Sequence, residues 1–213
     1  MADVPLLIAD LALLLCAVGS ALWAWRLRRR LDNERALLGA WALSALFIAL
    51  AVPARLLPGD GGSDLGALRQ MSLNLAVYVS LPLMATAVYA LGRGRLWSAA
   101  GWGRLLLGLF AGFELGRQLG YGNAYLYTLV ATASLAALAG GLMLKTPTAQ
   151  RTATVSALLL GVGFALISPA APDWSPGLNW RSPAGFGALS ALSLLLISAA
   201  LHRELAATRP GTQ

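Results

Sequence analysis

The chain has 213 residues, 58% of them hydrophobic and 12% charged, with a mean hydropathy of +0.68. Soluble domains carry roughly a quarter charged residues, so an ordinary soluble domain is excluded. The net charge of +7 is not read as a nucleic-acid surface, because the basic residues are distributed along the chain as an orientation signal.

The apolar residues fall in seven blocks, at residues 5–26, 36–57, 69–91, 99–120, 122–144, 152–171 and 184–203. Each is about twenty residues long, the helical length that crosses a hydrocarbon layer of roughly 30 Å. The pattern predicts an all-α fold: one polytopic domain, residues 1–213, forming a bundle of seven transmembrane helices. The connections are too short to hold a second domain.

The first block, "MADVPLLIADLALLLCAVGS", has no basic residue ahead of its apolar run. A retained span that starts outside is therefore expected, in place of a cleaved signal peptide. Leu15 stands where a lipoprotein cleavage site needs a small residue. Cys16 is the one cysteine, which excludes an intramolecular disulfide and a cysteine-based metal cluster, and it reads as a small buried apolar residue. The linker "RLRRRLDNERA" that follows is a topology anchor that also suits anionic lipid headgroups. It opens a series of basic connections containing Arg26, Arg28, Arg29, Arg30, Arg35, Arg93, Arg95, Arg104, Lys145, Arg151, Arg203 and Arg209. The opposite connections carry only Arg55, Arg69, Arg117 and Arg181. The N-terminus is accordingly expected outside and the C-terminus in the cytoplasm of a bacterial inner membrane.

Arg35 precedes Pro53 by eighteen residues, and Arg151 precedes Pro169 by the same interval. Spans two and six thus look alike, which would fit a repeat of three spans on each side of span four; it rests on two coincident residues, and prolines near helix ends are common. This layout resembles that of the small transporters called SWEETs in topology and length. Asn74 in span three is similar in kind to that family's pore asparagine, whereas span seven, "FGALSALSLLLISAALH", has no asparagine to match it. The mid-span prolines of the family's first and fifth spans are also missing. An apolar span ending in arginines, followed by a span rich in Ala, Leu and Trp, also resembles the seven-span sensory regions that precede some bacterial histidine kinases. The first resemblance implies solute transport, the second ligand sensing.

Span four contains "GLFAGFELGRQLGYGNAY". Gly108, Gly112, Gly116 and Gly120 recur every four residues and predict a smooth strip for a neighbouring helix, in this chain or in a partner. Glu114 and Arg117 are three apart and Gln118 is four from Glu114, so these side chains can pair along one helix surface, with Tyr121 four beyond Arg117. Glu114 lies ten residues past Arg104, about 15 Å at helical rise. An unpaired charge at that depth costs at least about 2.5–3.5 kcal/mol. The pair is therefore expected to face the bundle interior.

Other polar residues reach the same half of the membrane: Asp10, Arg55, Arg69, Gln70, Asn74, Asn123, Tyr125 and Tyr127, with Asp173, Asn179 and Arg181 in the proline-rich loop 168–185. The expected ligand-binding set is Glu114, Arg117, Asp10, Arg55, Asn74, Tyr121, Asp173 and Arg181. It would line an outward-facing polar pocket where spans one to five meet beneath that loop. In the competing view the same charges form a salt-bridge network that fixes helix order and binds nothing.

The single histidine, His202, argues against histidine-rich metal hydrolases, and the single lysine, Lys145, against a retinal Schiff base in span seven. "GRGRLW" and "GYGNAY" follow no strand and are not nucleotide loops. No cofactor, metal or nucleic acid is expected; membrane lipids are. Three function classes stand: a non-enzymatic sensing or accessory module, a small-solute transporter, and a lipid-active enzyme using Glu114, Asp10 or Asp173.

Overall fold

The computed structural model describes residues 4–57, 63–167 and 183–207, and among these no strand occurs. The helices are α1 (Val4–Arg28), α2 (Arg35–Ala54), α3 (Asp64–Gly92), α4 (Ala99–Gln118), α5 (Gly122–Leu142), α6 (Pro147–Ile167) and α7 (Pro183–Ala207). Each expected block is helical over its described residues, with ends displaced by a few residues; 168–171 of the sixth block lie outside them. α3 begins five residues ahead of its apolar block because Ser63 caps it, accepting a hydrogen bond from the Gly66 amide at 3.1 Å, and because Asp64 places a negative charge in the first turn.

α1, α2, α3, α5 from Ala124 and α7 from Gly187 are long and apolar enough to cross a membrane. Five of the seven expected spans thus meet that criterion among the described residues. Arg104, Glu114 and Arg117 interrupt α4, and α6 opens on a polar run from Thr148 to Thr152.

The distribution of side-chain size supports a lipid surround. α1 buries Ala9, Leu13, Ala17, Ser20 and Ala24 and exposes Leu7, Ile8, Leu11, Leu15, Val18, Leu22 and Trp25. Small residues inside and large apolar residues outside invert the soluble pattern. They match bilayer packing, where close backbone approach drives association and the tails solvate the large side chains.

α1 packs on α2 and α7, α2 on α3, α3 on α5, α5 on α6 and α6 on α7, so six helices close a ring. α4 lies outside it, against α2, α5 and the middle of α3. The closest approach falls between α3 and α5. A Cβ added to Gly140 would lie 2.5 Å from the Tyr89 main chain, and one added to Gly92 would collide with the Gly140 carbonyl.

Buried hydroxyls tie the ring. Ser156 on α6 and Ser193 on α7 each donate to the other's carbonyl, at 2.8 and 3.0 Å. Trp41 of α2 donates to Ser20 Oγ of α1 at 2.9 Å, and Ser20 Oγ lies 2.9 Å from Ser198 Oγ of α7. Since the Ser198 hydrogen goes to the Leu194 carbonyl, Ser20 is the donor of that pair. The buried Glu204 carboxylate accepts the Lys145 and Thr146 amides, both at 2.9 Å, where α6 begins. These amides precede the first turn of α6 and have no partner within that helix.

Among the described residues two glycines adopt the left-handed conformation, Gly94 (φ 63°) and Gly120 (φ 75°). Each ends a helix in a Schellman motif. After α3, the Arg95 and Gly94 amides donate to the Ala90 and Leu91 carbonyls; after α4, the Tyr121 and Gly120 amides donate to Gly116 and Arg117. The glycine-rich "GRGRLW" and "GYGNAY" are thus helix terminators.

Candidate functional site

The site grows from an irregularity in α3. Residues Asp64–Asn74 and Leu81–Gly92 are α-helical, but Leu75–Ser80 between them is π-helical. Pro82 accounts for it: proline has no amide to donate, and its ring crowds the turn before it, which widens in response. Ser80 Oγ donates to the Leu75 carbonyl at 3.2 Å, taking up one acceptor within the widened turn. Single π turns recur at functional sites because they turn side chains that a regular helix would point elsewhere.

Here the turn presents Ala76 and Val77 to a cavity of about 120 Å³ at the centre of the ring. Leu13 of α1, Val52 of α2, Ser134 of α5, Ala157 of α6 and Ser190 of α7 complete its walls. The lining is mostly apolar, and its one charged member is Arg55, at the end of α2. Arg55 Nη1 donates to Asp10 Oδ1 of α1 at 2.5 Å, with side-chain exposures of 29% and 16%. Asp10 therefore holds the guanidinium at the cavity edge. The Ser134 hydroxyl is buried and has no hydrogen-bond partner among the described residues, although it lines the cavity. A buried donor left unsatisfied costs about 1–3 kcal/mol, so a ligand atom or an ordered water there would relieve it.

The other expected site residues lie elsewhere. Glu114 and Arg117 do pair, through Arg117 Nε to Oε2 at 2.9 Å and Nη2 to Oε1 at 2.6 Å, and Gln118 donates to Oε1 at 2.8 Å. Their side chains, however, are 45% and 63% exposed. The expectation that they face the bundle interior is thus corrected: two neighbours on one helix surface, Arg117 and Gln118, satisfy the carboxylate with three hydrogen bonds and without help from the bundle. Asn74 accepts from Gln70 at 3.0 Å on the exposed start of α3 and does not line the cavity. Tyr121 is exposed. Asp173 and Arg181 lie outside the described residues. Only Asp10 and Arg55 of the expected set come together at this cavity, and α4 contributes nothing to its walls.

The glycine strip of α4 is filled from α5. Gly112 and Gly116 receive the Tyr125 side chain, whose atoms lie 2.8 and 3.2 Å from where their Cβ atoms would be. Tyr125 is stacked on Tyr78 of the π turn, centroids 5.9 Å apart. Gly108 faces open space and Gly120 is the cap described above. Sequence reading missed Ser134, Ala76 and Val77. Pro82, mid-way through an apolar block, was the available signal.

A scan against protein-family models and searches of curated proteins and of solved structures found no match to this chain.

Proposed function

We propose that the chain is a polytopic protein of a bacterial inner membrane, with its N-terminus outside, and that it works as a non-enzymatic sensing or accessory module by binding a small ligand inside the helix ring. The observation that carries this reading is the cavity with Arg55 at its edge and the unpartnered Ser134 hydroxyl in its wall. A cavity of roughly 150 Å³ accepts benzene, so the fitting ligand is small and mainly apolar, with one anionic or hydrogen-bonding group for Arg55 or Ser134. The pocket foreseen from the sequence was polar; this one is apolar with a polar edge.

The test is to purify the protein in lipid nanodiscs, denature it and identify released small molecules by mass spectrometry. A molecule released by the wild type and lost from Ala157→Leu, which fills the cavity, and from Arg55→Gln supports the reading. An empty wild type that resists binding of benzene-sized probes overturns it.

The π turn beside the cavity favours transport as the second reading. Its widened backbone ahead of Pro82 is a place where α3 can change its bend, as alternating access requires. Solute uptake in proteoliposomes that disappears in Ala157→Leu would separate transport from sensing. Carboxylate catalysis gains no support from Glu114 and Asp10, each engaged by an arginine on different parts of the fold, and the third candidate, Asp173, lies outside the described residues.

A further inference from the structure

A second hollow lies at the arginine-rich end of the molecule, away from the ring cavity. It is a groove of about 640 Å³ between α1, α2 and α4. Its floor is built from small residues, among them Ala36, Gly39 and Gly103, and its walls include Leu22 and Leu106. Arg28 and Arg35 line one end.

Three observations define an occupant. Neither arginine is ion-paired with a carboxylate among the described residues, whose ion pairs are Asp10–Arg55 and Glu114–Arg117. Arg28 lies over the Trp25 ring at 5.1 Å, and its guanidinium carbon is 3.5 Å from where a Gly39 Cβ would be, so the glycine leaves room for that head group. Trp102 also lines the groove; it is 5% exposed and its indole N–H has no hydrogen-bond partner among the described residues. The groove thus joins an apolar lining to two arginines that form no ion pair among the described residues, with an indole donor in its wall.

We infer that this groove is a binding site for an anionic glycerophospholipid. One acyl chain lies along the small-residue floor, and the phosphate and headgroup meet Arg28 and Arg35. Charge complementarity selects the occupant: a free anion would leave the apolar channel empty, and a neutral lipid would leave the arginines unmatched. Each basic residue near an anionic membrane surface contributes on the order of 1 kcal/mol, so two predict a preference of roughly thirtyfold for anionic over zwitterionic lipid. The site needs the chain to be in a membrane and is independent of whether the ring cavity binds anything.

The experiment is native mass spectrometry of the delipidated full chain, titrated with dioleoyl phosphatidylglycerol or dioleoyl phosphatidylcholine. The expected result is tighter phosphatidylglycerol binding by at least tenfold. Arg28→Gln combined with Arg35→Gln should remove that preference and leave weak binding of both lipids. Gly103→Leu should weaken both lipids, because a Cβ at Gly103 meets nothing within 4 Å and the larger side chain fills the groove without disturbing the helices. Equal binding of the two lipids by the wild type overturns the proposal. So does phosphatidylglycerol binding that Gly103→Leu leaves at wild-type strength, or a preference that inorganic phosphate alone abolishes, since either describes an anion site without a chain channel. If the arginine variant fails to fold, Gly103→Leu decides the matter.

Discussion

Ser156 and Ser193 are locked face to face, their Oγ atoms 2.9 Å apart and each hydroxyl donating to the carbonyl of the other residue. Both are fully buried, so neither has water as an alternative partner. Interhelical hydrogen bonds in membranes contribute about 0.6 kcal/mol on average and up to about 1.7. Ser156→Ala removes one donor and exposes a buried carbonyl, and should lower stability by about 1 kcal/mol. Urea or SDS unfolding in mixed micelles measures it; a change within error would show that the clamp only accompanies packing set elsewhere.

Glu204 makes a different demand, since its two oxygens serve two amides. Glu204→Ala leaves the Lys145 and Thr146 amides without their acceptor and should cost about 1–3 kcal/mol for each donor that stays buried. Glu204→Gln keeps one acceptor oxygen and should fall between alanine and wild type. Hydrogen exchange at Lys145 and Thr146 reads the effect locally, with both amides exchanging faster in the alanine variant.

Two glycines form a matched pair of tests. Gly140→Ala puts a methyl group 2.5 Å from the Tyr89 main chain; since backbone cannot step aside, α3 and α5 must separate, and the loss should exceed 2 kcal/mol, in the range of about 1–3 or more for overpacking. Gly108→Ala meets nothing within 4 Å and should raise stability by roughly 0.5–1 kcal/mol, the helix-interior advantage of alanine over glycine. Equal effects at the two positions would refute the α3–α5 contact.

The Asp10–Arg55 and Glu114–Arg117 pairs should respond differently. Arg55→Ala leaves a largely buried Asp10 carboxylate without its partner, and a loss of roughly 2–4 kcal/mol is expected, with Asp10→Asn in the same chain recovering part of it. Glu114→Gln acts on an exposed pair, so unfolding should be unchanged. Ligand release from the ring cavity should also be unchanged in Glu114→Gln, which keeps the two pairs separable in function.

The helices themselves were legible because their signal is coarse. A block such as 99–120 is read from length and apolar content alone, and the observed α4 ends within two residues of it. The Glu114–Arg117 pair was equally legible, since three-residue spacing on a helix is local geometry. Its outward direction was not, because that depends on where α4 sits relative to a ring closed by other helices. The regular spacing of Gly108, Gly112, Gly116 and Gly120 drew attention to α4, while the closest backbone contact belongs to Gly92 and Gly140, which no periodicity connects. Ser134 offers no sequence signal at all; its significance comes from a hollow that six separate segments enclose.

The π turn has an implication for insertions and deletions. In an α-helix each residue advances the side-chain direction by about 100°. Leu75–Ser80 takes up the chain at a different angular rate, so Tyr89 and Gly92 face Gly140 only because that stretch precedes them. Straightening Leu75–Ser80 into a regular helix at unchanged length would swing the whole second half of α3 around its axis by about one residue's 100°, carrying the glycine contact away from its partner, whereas deleting one residue within 75–80 would let a regular helix form with that contact kept. The stretch therefore tolerates the loss of one residue better than it tolerates the gain of one, which would re-aim every residue that follows.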